Sequence, residues 1–197
     1  VIKGKWSSSM NICIFGASSN DIDQAYMDAV FNLGKKLAER GHTLVFGAGA
    51  RGLMGAAARG ASAGNGEIVG VAPTFFNVDG IIYDKCTELI RTETMRERKQ
   101  IMEDRSDAFI MVPGGIGTFE EFFEVLTLKQ LGRHGKAIIV YNQDGFFDSL
   151  FQMMDECVEK GFMNHVTNEI YQVMTDTDEI LSYLDGYTPE VGKVFKF

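Results

Sequence analysis

The chain has 197 residues, a hydrophobic content of 45% and a formal net charge of −8 at neutral pH. This length suffices for one domain with a sizeable core, and the acidic charge argues against a protein that coats nucleic acid. No apolar run approaches the roughly 18 residues that a membrane-spanning helix needs, so we expect no membrane partner.

Residues 1–9 lack the apolar core of a signal peptide, and Met10 is followed at once by a strand-like run. We therefore expect residues 1–9 to be a leader and residues 10–197 to form a single domain. The three cysteines are widely spaced and odd in number. They predict reduced thiols in a cytoplasmic protein rather than a disulfide framework.

From Asn11 onward, short apolar runs alternate with segments whose apolar residues recur at helical spacing. Thr94 and Thr175 are plausible helix caps, and the segment 75–85 has no clear period and is predicted to be a loop. In chain order the predicted elements are strand 11–15, helix 23–40, strand 42–46, helix 53–63, strand 67–72, strand 87–91, helix 95–106, strand 108–112, helix 117–131, strand 137–141, helix 146–160, strand 170–174 and helix 176–184.

This alternation predicts an α/β fold of the Rossmann-like, doubly wound kind, with a mainly parallel sheet and helices on both faces. The strands are nearly continuous in apolar residues, as expected when both faces of a sheet are covered. In such folds ligands bind at the carboxyl ends of the strands. Three turns rich in small residues follow strands at that edge, at 16–20, 47–52 and 114–118.

The stretch 112–121 joins a buried strand to a helix through a glycine-rich turn. Pro113 ends the strand, and three glycines follow within 114–117. The first amides of a helix lack intrahelical acceptors, and the helix dipole favours negative charge there. The turn therefore predicts a site for an anion such as phosphate. Glu121 lies one turn into the helix, where a phosphate site alone requires no acid.

The turn 47–52 formally matches the glycine fingerprint of dinucleotide-binding folds. That fingerprint also needs an acid about 20 residues later, at the carboxyl end of the next strand, to hold a ribose. Glu67 has this spacing but precedes the apolar run 68–71, so it lies at the wrong end of its strand. We interpret the turn as a tight connection with close helix–sheet packing, and we expect no dinucleotide cofactor.

Four positions share one face of the predicted helix 95–106. Met95 and Met102 are apolar, but Arg98 and Lys99 lie between them. Two interpretations stay open, a solvent-exposed basic face and a basic pair that projects into a largely apolar cleft. In a cleft, an arginine can bind a planar anion through two hydrogen bonds, whereas a lysine acts as a point charge.

Glu121 also has two interpretations. Thr118 followed three residues later by a glutamate fits a helix-capping box, which would make Glu121 purely structural. Beside a bound phosphosugar, a glutamate instead suits general-base catalysis or the stabilisation of a positive oxocarbenium centre. The histidines His42, His134 and His165 are scattered without metal-ligand spacing, so we expect no metal site.

Two motifs, in this order and at this spacing, resemble the paired signatures of the LONELY GUY (LOG) family. Members of this family are cytokinin riboside 5′-monophosphate phosphoribohydrolases, long misannotated as lysine decarboxylases. The resemblance covers nearly the whole chain from Met10. It is carried by Met-Arg-Glu-Arg-Lys at 95–99, Pro-Gly-Gly-Ile-Gly-Thr-Phe-Glu-Glu at 113–121, and the shorter segments 16–19, 47–55 and 127–132.

The resemblance implies hydrolysis of the bond between an adenine-type base and ribose 5′-phosphate, with Arg98 and Glu121 as the catalytic pair. Glu121 would polarise water or stabilise the ribosyl cation, and Arg98 would orient the substrate and the carboxylate. Family members of this length are usually dimers in which both subunits contribute to the site, which implies a homodimer. The implied substrate-binding residues are Ser18, Met95, Lys99, Gly114, Gly115, Ile116, Gly117, Thr118 and Thr127.

The chain departs from the family pattern in two places. Arg96 stands where histidine is common, and the segment 75–85, which lies where base selectivity could be set, matches poorly. The choice between prenylated adenine and plain AMP therefore stays open. A rival interpretation is a non-catalytic nucleotide or phosphate-cofactor carrier on the same fold, which would need the glycine turn but not Glu121 beside Arg98.

Overall fold

The computed structural model describes residues 9–76, 78–190 and 192–195. The predicted leader falls almost entirely on residues 1–8, which lie outside the described residues. Within the described ranges, seven strands form one sheet. They are β1 (Asn11–Phe15), β2 (Thr43–Phe46), β3 (Ile68–Pro73), β4 (Glu88–Thr92), β5 (Ala108–Met111), β6 (Ala137–Tyr141) and β7 (Gln172–Met174).

Helices connect most of these strands, as the alternating pattern predicts. Two short 3₁₀ helices, at Gln143–Gly145 and His165–Glu169, flank the fifth α-helix. None of the helices in the described ranges is both long enough and apolar enough to cross a membrane. The α-helices are α1 (Gln24–Glu39), α2 (Gly52–Ala63), α3 (Met95–Asp104), α4 (Ile116–Gln130), α5 (Asp148–Glu159) and α6 (Thr177–Gly186).

The sheet has the strand order β4-β3-β2-β1-β5-β6-β7. All neighbouring strands are parallel. The first strand, β1, lies in the middle of the sheet. The strands β2 to β4 follow one another on one side of it, and β5 then lies against its other side. The connections from β1 and β5 therefore lead away from each other. Their divergence opens a crevice at the carboxyl edge of the sheet.

Helices cover both faces of the sheet, as predicted. On one face, buried residues of α1, α2 and α6 pack with Ile12 and Ile14 of β1. On the other face, residues of α3, α4 and α5 pack with Cys13 and Phe15 of the same strand. Alternate residues of a strand point to opposite faces, so one continuous apolar run supplies both halves of the core.

The helices α1 and α2 approach each other closely on the first face. A Cβ atom at Gly34 would lie 2.3 Å from the carbonyl oxygen of Ala57, so a side chain there is incompatible with the observed backbone spacing. The small residues of α2 allow this contact, which is made with another helix, whereas the sequence predicted close packing of α2 on the sheet. This contact lies between two helices and involves no residue that lines the cavity described below.

Most predicted boundaries differ from the observed ones by one or two residues, and the starts of α6 and α5 are two examples. The cap of α6 is Asp176 rather than Thr175, because Asp176 Oδ1 accepts hydrogen bonds from two amides of the first turn, at 2.8 and 3.1 Å. The helix α5 begins at Asp148 rather than Phe146, since the residue before it, Phe147, is the N-cap and has φ −96° and ψ 6°. The predicted cap at Thr94 is confirmed, as its Oγ1 accepts from the Glu97 amide at 3.1 Å.

The capping-box interpretation of Glu121 is wrong. The N-cap of α4 is Gly115, and no side chain caps this helix end. Glu121 lies beyond the first turn of α4, because the helix begins at Ile116, earlier than the predicted start at Gly117. Its carboxylate is bonded to a side chain of α3 instead, so the helix start gains nothing from it.

Candidate functional site

A cavity of about 680 Å³ opens at the carboxyl edge of the sheet, where the connections from β1 and β5 diverge. The turns after β1 and β2, the first turn of α3, the start of α4 and part of the segment 75–85 form its walls. Its lining residues are Gly16, Ala17, Ser18, Ser19, Gly47, Gly49, Arg51, Met54, Phe76, Ile81, Ile82, Met95, Arg98, Gly115, Ile116, Gly117, Thr118, Glu120 and Glu121.

An ion pair between α3 and α4 lies in the wall of this cavity. Arg98 Nη1 donates to Glu121 Oε1 at 3.1 Å, and Arg98 Nε donates to the carbonyl oxygen of Val71 in β3 at 3.1 Å. The two side chains are only 8% and 12% exposed. The interpretation of Arg98 as part of a solvent-exposed basic face is therefore wrong, and the cleft interpretation describes its position.

The position of Glu121 changes its acid–base properties. Burial raises the pKa of the Glu121 carboxyl above its ordinary value, and the charge and hydrogen bond of Arg98 oppose this rise. A raised pKa makes the carboxylate a stronger base than an exposed glutamate, while the guanidinium keeps it oriented. The pair thus provides a directed base at the cavity wall.

The start of α4 presents unoccupied backbone donors to the same cavity. Within the described part of the chain, the amides of Ile116, Gly117 and Thr118 have no hydrogen-bond acceptor. No atom lies within 4 Å of where a Cβ at Gly115 or Gly117 would stand, so both glycines border open space. An anion can therefore approach these amides along a helix axis whose dipole favours negative charge.

The start of α2 differs from that of α4, although the turn before it contains three glycines. The Gly52 amide donates to Asn20 Oδ1 at 3.0 Å, and the Leu53 and Met54 amides donate to the Ala17 carbonyl at 2.9 and 3.2 Å. The donors of this helix end are satisfied by the turn after β1. This turn therefore does not provide the phosphate cradle of a dinucleotide fingerprint, as the sequence interpretation concluded.

Most of the predicted site residues meet in the cavity. Arg98, Glu121, Ser18, Met95, Gly115, Ile116, Gly117 and Thr118 all line it. Gly114 lies just behind the lining, where a Cβ would come within 2.1 Å of Thr118 Oγ1. Lys99 and Thr127 do not line it. The ammonium of Lys99 contacts the carboxylates of Glu120 and Glu124, and Thr127 is exposed on the surface of α4.

The cavity contains residues that the sequence did not single out. The segment 75–85 contributes Phe76, Ile81 and Ile82, which form an apolar wall. The structure fastens this loop to the turn after β2, because the Ala50 amide donates to the Ile81 carbonyl at 2.8 Å and Gly49 pairs with Ile82. The loop has no periodic pattern, so only its poor family match drew attention to it.

Among the described residues, no group of three or more histidine, cysteine, aspartate or glutamate side chains is placed to hold a metal ion. The described residues that line the cavity include no lysine.

The parallel doubly wound sheet, with a cavity at the divergence of β1 and β5, defines a Rossmann-like α/β protein. Comparisons with known proteins agree with this class. Residues 54–184 match the family model described as "Possible lysine decarboxylase". The chain is 37% identical over 179 residues to the cytokinin riboside 5′-monophosphate phosphoribohydrolase LOG2 of Arabidopsis thaliana, covering 91% of this chain and 84% of the relative.

A second Arabidopsis thaliana relative, the cytokinin riboside 5′-monophosphate phosphoribohydrolase LOG3, is 36% identical over 183 residues, which cover 93% of this chain and 85% of the relative. The chain therefore belongs to the LOG family, as the two sequence motifs predicted.

Solved structures with the same fold include two molybdenum cofactor proteins. The molybdenum cofactor binding protein of Rippkaea orientalis has a TM-score of 0.70 at 20% identity, with coverage of 90% of this chain and 96% of that chain. The molybdenum cofactor carrier protein of Chlamydomonas reinhardtii has a TM-score of 0.68 at 21% identity with the same coverage. At this level of identity the likeness concerns the fold alone.

Proposed function

We propose that this protein hydrolyses the N-glycosidic bond of nucleoside 5′-monophosphates of the AMP or cytokinin riboside type, releasing the free base and ribose 5-phosphate. The observation that carries the proposal is a single cavity with two features. It contains the buried Arg98–Glu121 pair and, beside it, the unoccupied amides at the start of α4. The names of the relatives LOG2 and LOG3 describe this reaction for those proteins.

In the proposed reaction the 5′-phosphate binds at the start of α4. Its oxygens accept hydrogen bonds from the amides of residues 116–118, and open space at Gly115 and Gly117 admits them. Ser18, on the facing turn after β1, supplies a hydroxyl, and Gly114 leaves room for the side chain of Thr118 behind the phosphate. This arrangement anchors the substrate by the part that does not react.

Glu121 then acts at the glycosidic bond. Its carboxylate polarises a water molecule and stabilises the positive charge that develops on the ribose as the bond between C1′ and the base breaks. The water oxygen forms the new bond to C1′ while the water gives one proton to Glu121, and the departing base takes up that proton in place of its bond to C1′. Arg98 holds the carboxylate in place and contributes a positive charge beside the substrate.

The base occupies the part of the cavity lined by Phe76, Ile81, Ile82 and Met54, with Met95 at its edge. These side chains are apolar, so they select by shape and apolar contact rather than by hydrogen bonds to the base. The segment 75–85 is therefore the place where prenylated adenine and plain adenine are distinguished.

We also propose that the protein is a homodimer formed through an exposed stripe of α4. Ile116, Phe123 and Thr127 recur on one face of this helix, and Leu131 continues the stripe at its end. Ile116 is 85% exposed, which is unusual for so large an apolar side chain at a cavity rim. A second subunit on this stripe would cover Ile116 and bring Thr127 toward the site of its partner.

The dimer proposal is tested by sedimentation of Phe123→Glu, which is expected to convert a dimer into a monomer. Phe162→Glu is the matched control, because Phe162 is exposed in the turn after α5 and lies outside the stripe. A monomeric wild-type protein at micromolar concentration would contradict the proposal, as would equal effects of the two substitutions.

We place the activity in the cytoplasm, with a small-molecule nucleotide as the substrate and no nucleic-acid partner. Cys13, Cys86 and Cys157 are all free thiols, which fits a reducing compartment. The acidic net charge of −8 disfavours binding to a polyanion.

A direct test of the proposed reaction is to incubate the protein with AMP and with isopentenyladenosine monophosphate and to follow base release by chromatography. Release of adenine or isopentenyladenine with stoichiometric ribose 5-phosphate is expected, and the corresponding nucleosides, which lack the phosphate, should react far more slowly. Tight nucleotide binding with no release from these or other nucleoside monophosphates would sink the proposal and favour a carrier.

A further inference from the structure

The glycine-rich turn after β2 contains a glycine whose role the proposed reaction does not explain. Gly47 directly follows β2 and lines the cavity. A Cβ atom at this position would lie 1.7 Å from Nη2 and 2.9 Å from Cζ of Arg98. The guanidinium therefore occupies the volume that any side chain at position 47 would need.

The conformation of Gly47 gives no other reason for a glycine. Its φ lies outside the positive range, whereas Gly52 in the same turn has a φ of 58° and makes the left-handed bend. A Cβ at Gly49 would meet its nearest neighbour, Met54 Cβ, at an ordinary 3.5 Å. The collision with Arg98 is thus specific to position 47.

Three surfaces enclose the Arg98 side chain. The Val71 carbonyl holds Nε, Glu121 holds Nη1, and the bare backbone of Gly47 lies against Nη2. The side chain is almost fully buried, so the guanidinium has little room in which to shift while both hydrogen bonds persist. A methyl group at position 47 must therefore break at least one of the two bonds or move the backbone.

We propose that Gly47 is a positioning residue, which by having no side chain forms the seat that holds the Arg98 guanidinium against Glu121. The inference rests on the proposed function, in which Arg98 and Glu121 act together. It assigns the first glycine of the fingerprint-like turn to the reacting groups rather than to a dinucleotide. The first amides of α2, which follows this turn, already donate to Asn20 and Ala17, and this agrees with that assignment.

The proposal is tested first with Gly47→Ala, for which we expect kcat for base release to fall about 100-fold, the loss typical of a misplaced catalytic group. The KM for the nucleotide should change less, because the phosphate site at the start of α4 is untouched. The acid limb of the pH–rate profile should move to higher pH, since Glu121 loses a partner that lowers its pKa.

Gly34→Ala is the matched control. Its Cβ would collide with the backbone carbonyl of Ala57 at 2.3 Å, a clash between α1 and α2 that lies away from the cavity and that no side-chain movement relieves, whereas a Cβ at Gly47 meets side-chain atoms only. We expect Gly34→Ala to lower Tm without moving the pH–rate profile of the protein that remains folded. If both variants keep the wild-type pH–rate profile and each loses activity only in proportion to its loss of folded protein, then Gly47 has a merely structural role and the inference is overturned.

A double-mutant cycle with Arg98→Lys isolates the contact itself. Lysine lacks the terminal guanidinium nitrogens, so Gly47→Ala should cost less than about 3-fold in this background if the glycine acts through that group. If Gly47→Ala alone does not fold, Arg98→Lys should restore its folding, which a thermal melt detects. Full additivity of the two substitutions, or no restoration, would overturn the inference.

A readout independent of turnover separates this inference from the proposed function. In wild-type protein, the NMR signal of the Arg98 Nε–H group, identified by its loss in Arg98→Lys, should be protected from exchange by the Val71 carbonyl. Gly47→Ala should displace the guanidinium and so change the chemical shift of this signal or reduce its protection. An Nε–H signal with unchanged chemical shift and protection in Gly47→Ala refutes the seat, whereas an inactive wild type with the expected NMR change refutes only the proposed reaction.

Discussion

Two neighbouring residues of α3, Arg98 and Lys99, each form ion pairs with carboxylates of α4, but the two sets of pairs have different surroundings. Arg98 meets Glu121 inside the cavity wall and is also bonded to the backbone of β3. Lys99, which does not line the cavity, meets Glu120, which does, and Glu124; these two carboxylates are 53% and 37% exposed.

The difference lies in how the protein encloses each cation. Arg98 is held by a carboxylate, a carbonyl and the bare backbone of Gly47, which leave its guanidinium one position and expose Glu121 to a ligand in the cavity. The Lys99 ammonium lies between two carboxylates that water also solvates, so it mainly joins two helices. Adjacent charges in the sequence therefore have different surroundings, which is why we propose a chemical role for Arg98 and a packing role for Lys99.

The largest effect is expected from Glu121→Gln, which should reduce kcat by roughly 10²- to 10⁴-fold because an amide cannot act as the base. The fold should persist, since Gly115 is the N-cap of α4 and Glu121 caps nothing. Base release and circular dichroism measure the two outcomes. Near-normal turnover would remove Glu121 from the chemistry, and an unfolded variant would mean that the pair is chiefly structural.

A second substitution separates substrate binding from both ion pairs. Gly117→Ala introduces a methyl group into the open space beside the first amides of α4. We expect KM to rise about 10-fold while Tm rises slightly, because alanine in a helix is more stable than glycine by about 1 kcal/mol. Gly186→Ala, at the end of α6 with no atom near its Cβ, is the control and should leave KM unchanged. An unaltered KM in Gly117→Ala would exclude phosphate from this helix end.

Lys99→Met tests the ion pairs of Lys99 with Glu120 and Glu124. The aliphatic stem is kept while the charge is lost, so we expect a loss of about 1 kcal/mol in stability and a fall of 2–4 °C in Tm for a domain of this size. Turnover should stay within about 3-fold of wild type, since the ammonium does not line the cavity. A collapse of kcat or a large rise in KM would instead give Lys99 the substrate contact that the family resemblance implies.

The smallest effect is expected at Glu103, a half-buried carboxyl on α3 near Lys99 and Glu124. Burial raises its pKa to about 7, and the neighbouring carboxylate of Glu124 adds to this rise. The folded protein therefore holds a proton on Glu103 between about pH 4.5 and 7, where the unfolded chain has released it. This contribution to stability is complete below pH 4.5 and is lost as the pH rises through 7.

Glu103→Gln should remove that contribution to the pH dependence of stability. Because solvent screens a half-exposed group, the Tm difference between pH 5 and pH 8 should change by only a few degrees relative to wild type. Parallel Tm curves for the two proteins across this range would show that Glu103 titrates normally. Lys99→Met should enlarge the effect, since the ammonium lowers the pKa of Glu103.

The local patterns predicted most of the architecture. Strand 137–141 coincides with β6, and the helix 53–63 differs from α2 by a single residue at its start. These predictions are accurate because apolar periodicity and turn residues depend only on positions close together in the sequence. Predictions of helix ends were less accurate, because neighbouring side chains compete to cap the helix, as when Asp176 rather than Thr175 caps α6.

The sequence by itself determined the fold class, the family, the glycine-rich turn at the start of α4 and the residue types of the Arg98–Glu121 pair. Only the tertiary structure decided that the guanidinium meets the carboxylate, that Gly47 provides its seat, and that Ile81 and Ile82 reach the cavity. The reason is that periodicity reports which way a side chain faces within one element. Contacts between α3, α4 and the turn after β2 depend on the crossover that sets β5 beside β1, and no local pattern encodes that distance.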